Sequence, residues 1–136
     1  MIVYKFKVPI YKWSVLLVQI ENKKDIEPLK RLLRANRFKE EDELYKEITD
    51  KTETDCVDGG ITIRDRGRKE LFVVLYRMTN AFELANIYSH EKRHVEDEIL
   101  EYCDVNGSEA SAYLAGYIGM EFYKFYLKVK PHFKFL

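Results

Sequence analysis

The chain has 136 residues, with 23 basic and 23 acidic side chains, 46% apolar residues and only six glycines and three prolines. That length suits one domain, 1–136, and the composition excludes a disordered or fibrous chain. Zero formal charge removes the global argument for binding nucleic acid or an anionic membrane. Two cysteines, Cys56 and Cys103, are too few for a disulfide scaffold, so they read as reduced thiols. The first twenty residues lack a signal-peptide plan, and the most apolar stretch, Ala110 to Leu127, is interrupted by Glu121 and Lys124. The expectation is a cytoplasmic protein that does not span a membrane.

The elements follow in chain order. Tyr4, Phe6 and Val8 alternate with lysines and predict a half-buried strand, ended by Pro9. Trp13 to Ile20, rich in β-branched residues, predicts a second strand. Asp25 is the expected cap of a short helix over 26–36, with Pro28 in its first turn and Leu29, Leu32 and Leu33 as its apolar stripe. Residues 39–58 are acidic and poor in large apolar groups, which predicts a solvated helix and then a loop. Asp58-Gly59-Gly60 marks a turn before a strand at Ile61–Ile63. A second turn at Asp65–Arg68 precedes an apolar strand at Leu71–Tyr76, completing a hairpin.

The period then changes. Asn80 and Glu83 form a capping pair, and Ala81, Leu84, Tyr88, Val95, Ile99 and Tyr102 recur at helical spacing to about Cys103. Asp104 to Gly107 breaks that helix, with Gly107 free to take positive φ. A last helix is expected from about Glu109 to Lys128, with Ser108 as its cap and Pro131 beyond its end. The order predicts an α+β fold: a small antiparallel or mixed sheet packed against a long helix and an apolar C-terminal helix.

Chemistry concentrates on the long helix, where His90-Glu91-Lys92-Arg93-His94 is an H-E-x-x-H string. Residues four apart share a helix face, so both imidazoles can reach one ion, and zinc takes imidazole nitrogen readily. Glu91 points about 100° away around the axis, where it can accept a proton from a water beside the metal. The bland alternative is two surface histidines on a charged helix. The third ligand must come from outside the string. Glu109, opening the next helix, is the candidate, and Glu98, on the same stripe as the histidines, is the alternative. The first helix runs eight or nine residues past His94, about 12 Å. Glu109 therefore reaches the histidines only if that helix stops early or the two helices cross widely.

The H-E-x-x-H string, Val95-Glu96-Asp97-Glu98-Ile99-Leu100 and Glu109-Ala110-Ser111-Ala112-Tyr113-Leu114-Ala115-Gly116-Tyr117 together resemble small zinc-metallopeptidase-like proteins of phages and mobile elements. The early Val8-Pro9-Ile10-Tyr11 is also similar. The resemblance covers about two-thirds of the chain in outline, and its specific part is residues 90–117. It implies a zincin-like fold, one zinc ion held by His90, His94 and Glu109, Glu91 as general base, and a peptide or protein substrate. The chain departs from the usual pattern at Lys92, Arg93 and Glu96, where zinc peptidases carry uncharged or apolar residues. The rival expectation is a catalytically inactive binding or adaptor protein of a phage or mobile element that keeps this fold. A di-iron bundle site would need a second Glu-x-x-His, which the sequence lacks.

Three further features have ordinary explanations. Tyr113 could stabilise a tetrahedral intermediate but reads first as packing. The last helix is apolar almost all round, from Tyr113 to Tyr126, and is expected to be core, with a homodimer surface as the second use. Its small residues Ala112, Ala115, Gly116 and Gly119 are expected to pack against the motif helix. The tail 124–136 interleaves lysines with aromatics, yet nucleic acid is not the expected partner of a neutral chain.

Overall fold

The computed structural model describes residues 1–104 and 107–133. The expected break between the last two helices therefore falls partly, at positions 105 and 106, outside the described residues, as do tail positions 134–136. Two strands come first, β1 (Ile2–Val8) and β2 (Trp13–Gln19), then α1 (Ile26–Ala35) and α2 (Glu43–Glu53). A second strand pair, β3 (Gly60–Asp65) and β4 (Glu70–Leu75), precedes α3 (Ala81–Tyr102) and α4 (Ser108–Val129).

The four strands form one mixed sheet in the order β1-β2-β4-β3. β1 pairs antiparallel with β2, Phe6 opposite Val15, and β3 pairs antiparallel with β4, Thr62 opposite Val73. The central pair β2–β4 is parallel, Leu17 opposite Val73. The chain returns to the same end of the sheet through α1, α2 and β3, the long crossover that parallel pairing requires. Leu71 to Leu75 are all buried, as befits an inner strand covered on both faces.

The coverings form two cores. On one face Phe6, Val8, Val15, Leu17 and Val73 meet Leu84, Val95 and Ile99 of α3 and Leu114, Ile118, Phe122 and Phe125 of α4. On the other face Val18, Phe72, Val74 and Tyr76 meet Leu29 and Leu33 of α1 and Tyr45 and Ile48 of α2. The architecture is α+β in three layers.

Local chemistry explains the element ends. Asn22, rather than Asp25, makes the side-chain cap ahead of α1: it accepts from Lys24 N–H at 2.9 Å, and Asp25 Oδ2 reaches back to the N–H of Asn22 and Glu21. Asn80 caps α3 as expected, accepting from Glu83 N–H at 2.9 Å, but among the described residues the Glu83 side chain makes no reciprocal bond to the Asn80 N–H, so the expected capping pair is half formed. Gly107 takes φ 135° and occupies the N-cap position of α4, one residue before the expected Ser108. The acidic helix α2 is more buried than its composition suggests. Thr49 and Thr52 point inward because their hydroxyls bond back to the carbonyls of Tyr45 and Ile48.

On α4, Gly119 faces the motif helix, whereas Gly116 faces open space. Tyr113, Met120, Tyr123 and Leu127 remain about half exposed along its outer face. Among the described residues no helix is long and apolar enough to cross a membrane.

Candidate metal centre

Three faces of α3 position the candidate site. Leu84, Tyr88, Val95 and Ile99 point into the core under the sheet. Turning towards β3 brings Glu91 and Glu98, both buried, and turning further brings the exposed His90 and His94. Lys92 is about 200° from each histidine around the axis and touches α4 instead. β3 is an edge strand, so the histidines open onto solvent beside it.

The imidazoles converge. Nε2 of His90 is 3.0 Å from Nε2 of His94, and the ring centroids are 4.6 Å apart at 81°. Two imidazole nitrogens about 2.1 Å from one tetrahedral zinc stand about 3.4 Å apart, so a small ring rotation matches the pair to the ion. The pair thus fits two of the four positions around a zinc ion, and at 3.0 Å without one the two rings share a hydrogen bond. Gly60, Thr62, Arg64, His90, Glu91 and His94 line a shared pocket of about 410 Å³.

Glu91 is only 3% exposed. Thr62 Oγ1 donates to its Oε2 at 2.5 Å, leaving Oε1 free of that bond. A β-carbon on Gly60 would stand 2.9 Å from Glu91 Cγ and 3.1 Å from Oε1. Gly60 does not have positive φ, so its backbone does not demand glycine. The missing side chain is what admits the carboxylate beneath β3.

Glu98, the alternative ligand, is committed elsewhere. Arg64 Nη1 binds its Oε2 at 2.8 Å and Arg66 Nε its Oε1 at 2.6 Å. Burial pushes the Glu98 carboxyl up, but the hydrogen bonds from Arg66 and Arg64 outweigh it and hold the group below the usual carboxylate range. The three residues that depart from the peptidase pattern also bond to one another or to a neighbour. Lys92 pairs with the buried Glu96, and Arg93 binds Asp97 at 3.0 Å and Glu96 at 3.6 Å. None of these three charges is paired with a histidine.

Glu109 is exposed in the first turn of α4. α4 packs on the Lys92 side of α3: a β-carbon on Gly119 would stand 3.1 Å from Lys92 Cε. Ten residues separate Glu109 from Gly119, about 15 Å of helix. The structure therefore brings His90, His94 and Glu91 into one pocket and leaves Glu109 outside it, in the first turn of a helix that packs on the Lys92 flank of α3. Among the described residues no group of three His, Cys, Asp or Glu side chains is arranged to hold a metal ion. Tyr113 is 46% exposed on α4, and the free Cys103 is half-buried against the core.

Thr62 and Gly60 were not singled out by sequence reasoning. The available signal was their i, i+2 spacing on a strand, which puts both on one face. Gly60 reads as part of a turn in the sequence, yet it is the first residue of β3. Comparison of the chain with family models, curated proteins and solved structures returned no match, so the functional reading rests on this geometry and on the motif.

Proposed function

We propose that the protein is a zincin-like, zinc-dependent metallopeptidase. The observation that carries this reading is the convergence of His90 and His94, 3.0 Å apart, beside the buried Glu91 carboxylate in one pocket. When bound, zinc supplies Lewis-acid polarisation of the scissile carbonyl and acidifies a water molecule. His90 and His94 are the residues that would hold the ion. The free edge of β3 offers backbone donors and acceptors to an extended peptide, which can add there as a further strand. Thr62 fixes Glu91 through Oε2, so Oε1 takes the proton of the attacking water and passes it to the leaving amine.

Glu109 is the third ligand in this proposal. In the structure it stands away from the pair, on a helix packed against the other flank of α3, so the N-terminal part of α4 must be rearranged for it to bind. That same position favours the second reading, a binding protein on this scaffold without peptidase activity. Elemental analysis and a peptide library separate the two. The proposal expects about one zinc per chain, lost in His90→Ala and reduced in Glu109→Ala, with cleavage abolished in Glu91→Gln. Zinc binding without cleavage of any peptide supports the binding protein. Full zinc retention in Glu109→Ala removes Glu109 from the ligand set.

A further inference from the structure

The pocket that holds the histidines also holds an anchored guanidinium. Arg64 follows Thr62 by two residues on β3 and so shares the face turned towards α3. Its Nη1 binds Glu98, its side chain is 57% exposed, and its Nε and Nη2 make no bond to the protein among the described residues. Arg66 differs: its Nε is taken by Glu98 and its Nη2 is directed at Glu98 and Glu101. The buried Glu98 thus holds Arg64 in place and leaves two of its donors for a ligand. A guanidinium fork of this kind suits a carboxylate.

Position defines where that carboxylate would sit. Glu98 comes four residues after His94 and eight after His90, so the imidazoles and the Arg64 anchor fall in a row along α3. Four residues of helix advance about 6 Å, and an extended peptide advances about 3.3 Å per residue. The Glu98 anchor of Arg64 is therefore about 6 Å along the axis from His94 and about 12 Å from His90, or about two to three residues of extended peptide from a point between the histidines.

We infer that this pocket selects peptides bearing a carboxylate about two to three residues from the scissile bond, with Arg64 as the specificity-determining residue. The inference rests on the metallopeptidase reading and adds its substrate class. The carboxylate can be a chain terminus or an Asp or Glu side chain.

The test uses the zinc-loaded full chain and three thiol probes in calorimetric titrations. They are 3-mercaptopropionyl-glycine, its glycine amide, and 3-mercaptopropionyl-aspartic acid α-amide. At least one carboxylate probe should bind about 10-fold more tightly than the neutral amide. Preference for the glycine acid assigns a C-terminal carboxylate, and preference for the aspartyl amide assigns a side chain. Arg64→Gln should reduce the preference to about 2-fold or less with zinc content unchanged, and Arg64→Lys should retain part of it. Far-UV circular dichroism checks that both variants are folded, and the Arg66–Glu98 pair remains in each. Equal affinity for all three probes with one zinc bound overturns this inference alone, as does a full preference in Arg64→Gln. Failure to load zinc overturns the metallopeptidase reading and this inference with it.

Discussion

Substituting Gly60 by alanine perturbs the candidate site at one atom. The added methyl group would sit 2.9 Å from Glu91 Cγ, 3.2 Å from Cδ and 3.1 Å from Oε1. Carbon atoms in contact prefer about 3.5–4.0 Å, so either the carboxylate or the edge strand must shift. Glu91 is buried and tied to Thr62, which limits how far it can retreat. Overpacking of this kind costs about 1–3 kcal/mol. An unfolding entropy of about 2.1 cal/mol/K per residue converts that into a Tm lower by roughly 3–10 °C. Thermal unfolding followed by circular dichroism measures it. In the Glu91→Ala background the contact is gone, so Gly60→Ala should cost almost nothing there. An equal penalty in both backgrounds, or none in the wild type, refutes the claim that Gly60 makes room for Glu91.

Three further substitutions probe the supports of the fold. Glu98 has a depressed pKa, so its ion pairs contribute stability above the unfolded value of 4.5 that is lost as pH falls through the folded value. Urea midpoints at pH 6 and pH 3.5 should therefore fall further in the wild type than in Glu98→Gln, and identical losses contradict this. Tyr4→Phe removes the hydroxyl that donates to the buried Glu121, leaving Lys124 as that carboxylate's remaining side-chain partner among the described residues. Denaturant unfolding should show a loss of about 1–3 kcal/mol. Asn80→Ala removes the α3 cap and should cost about 1 kcal/mol in the same assay, a stability effect at the end of α3 remote from the histidines.

The long helix was legible because its signals agree. Asn80 caps it, Leu84, Tyr88, Val95 and Ile99 repeat at helical spacing, and Gly107 takes positive φ beyond its end. The two histidines follow directly, since i, i+4 spacing on a helix forces them to one side. Long-range geometry was less legible. The parallel β2–β4 pairing depends on a connection of about fifty residues, which local pattern does not specify. The buried face of α2 was hidden by threonines whose polarity is satisfied within the helix. Gly60 and Thr62 become meaningful only when β3 is laid over α3, about thirty residues away. The position of Glu109 turns on which flank of α3 receives α4. Gly119 against Lys92 fixes that flank, and spacing along the chain contains no record of it.

The central claim is that one zinc ion sits between His90 and His94. Anomalous diffraction at the zinc edge from crystals of zinc-loaded protein tests it most directly. The account predicts a single peak about 2.1 Å from both Nε2 atoms, beneath the open edge of β3. No peak there at saturating zinc, or histidine side chains turned apart into solvent, contradicts it.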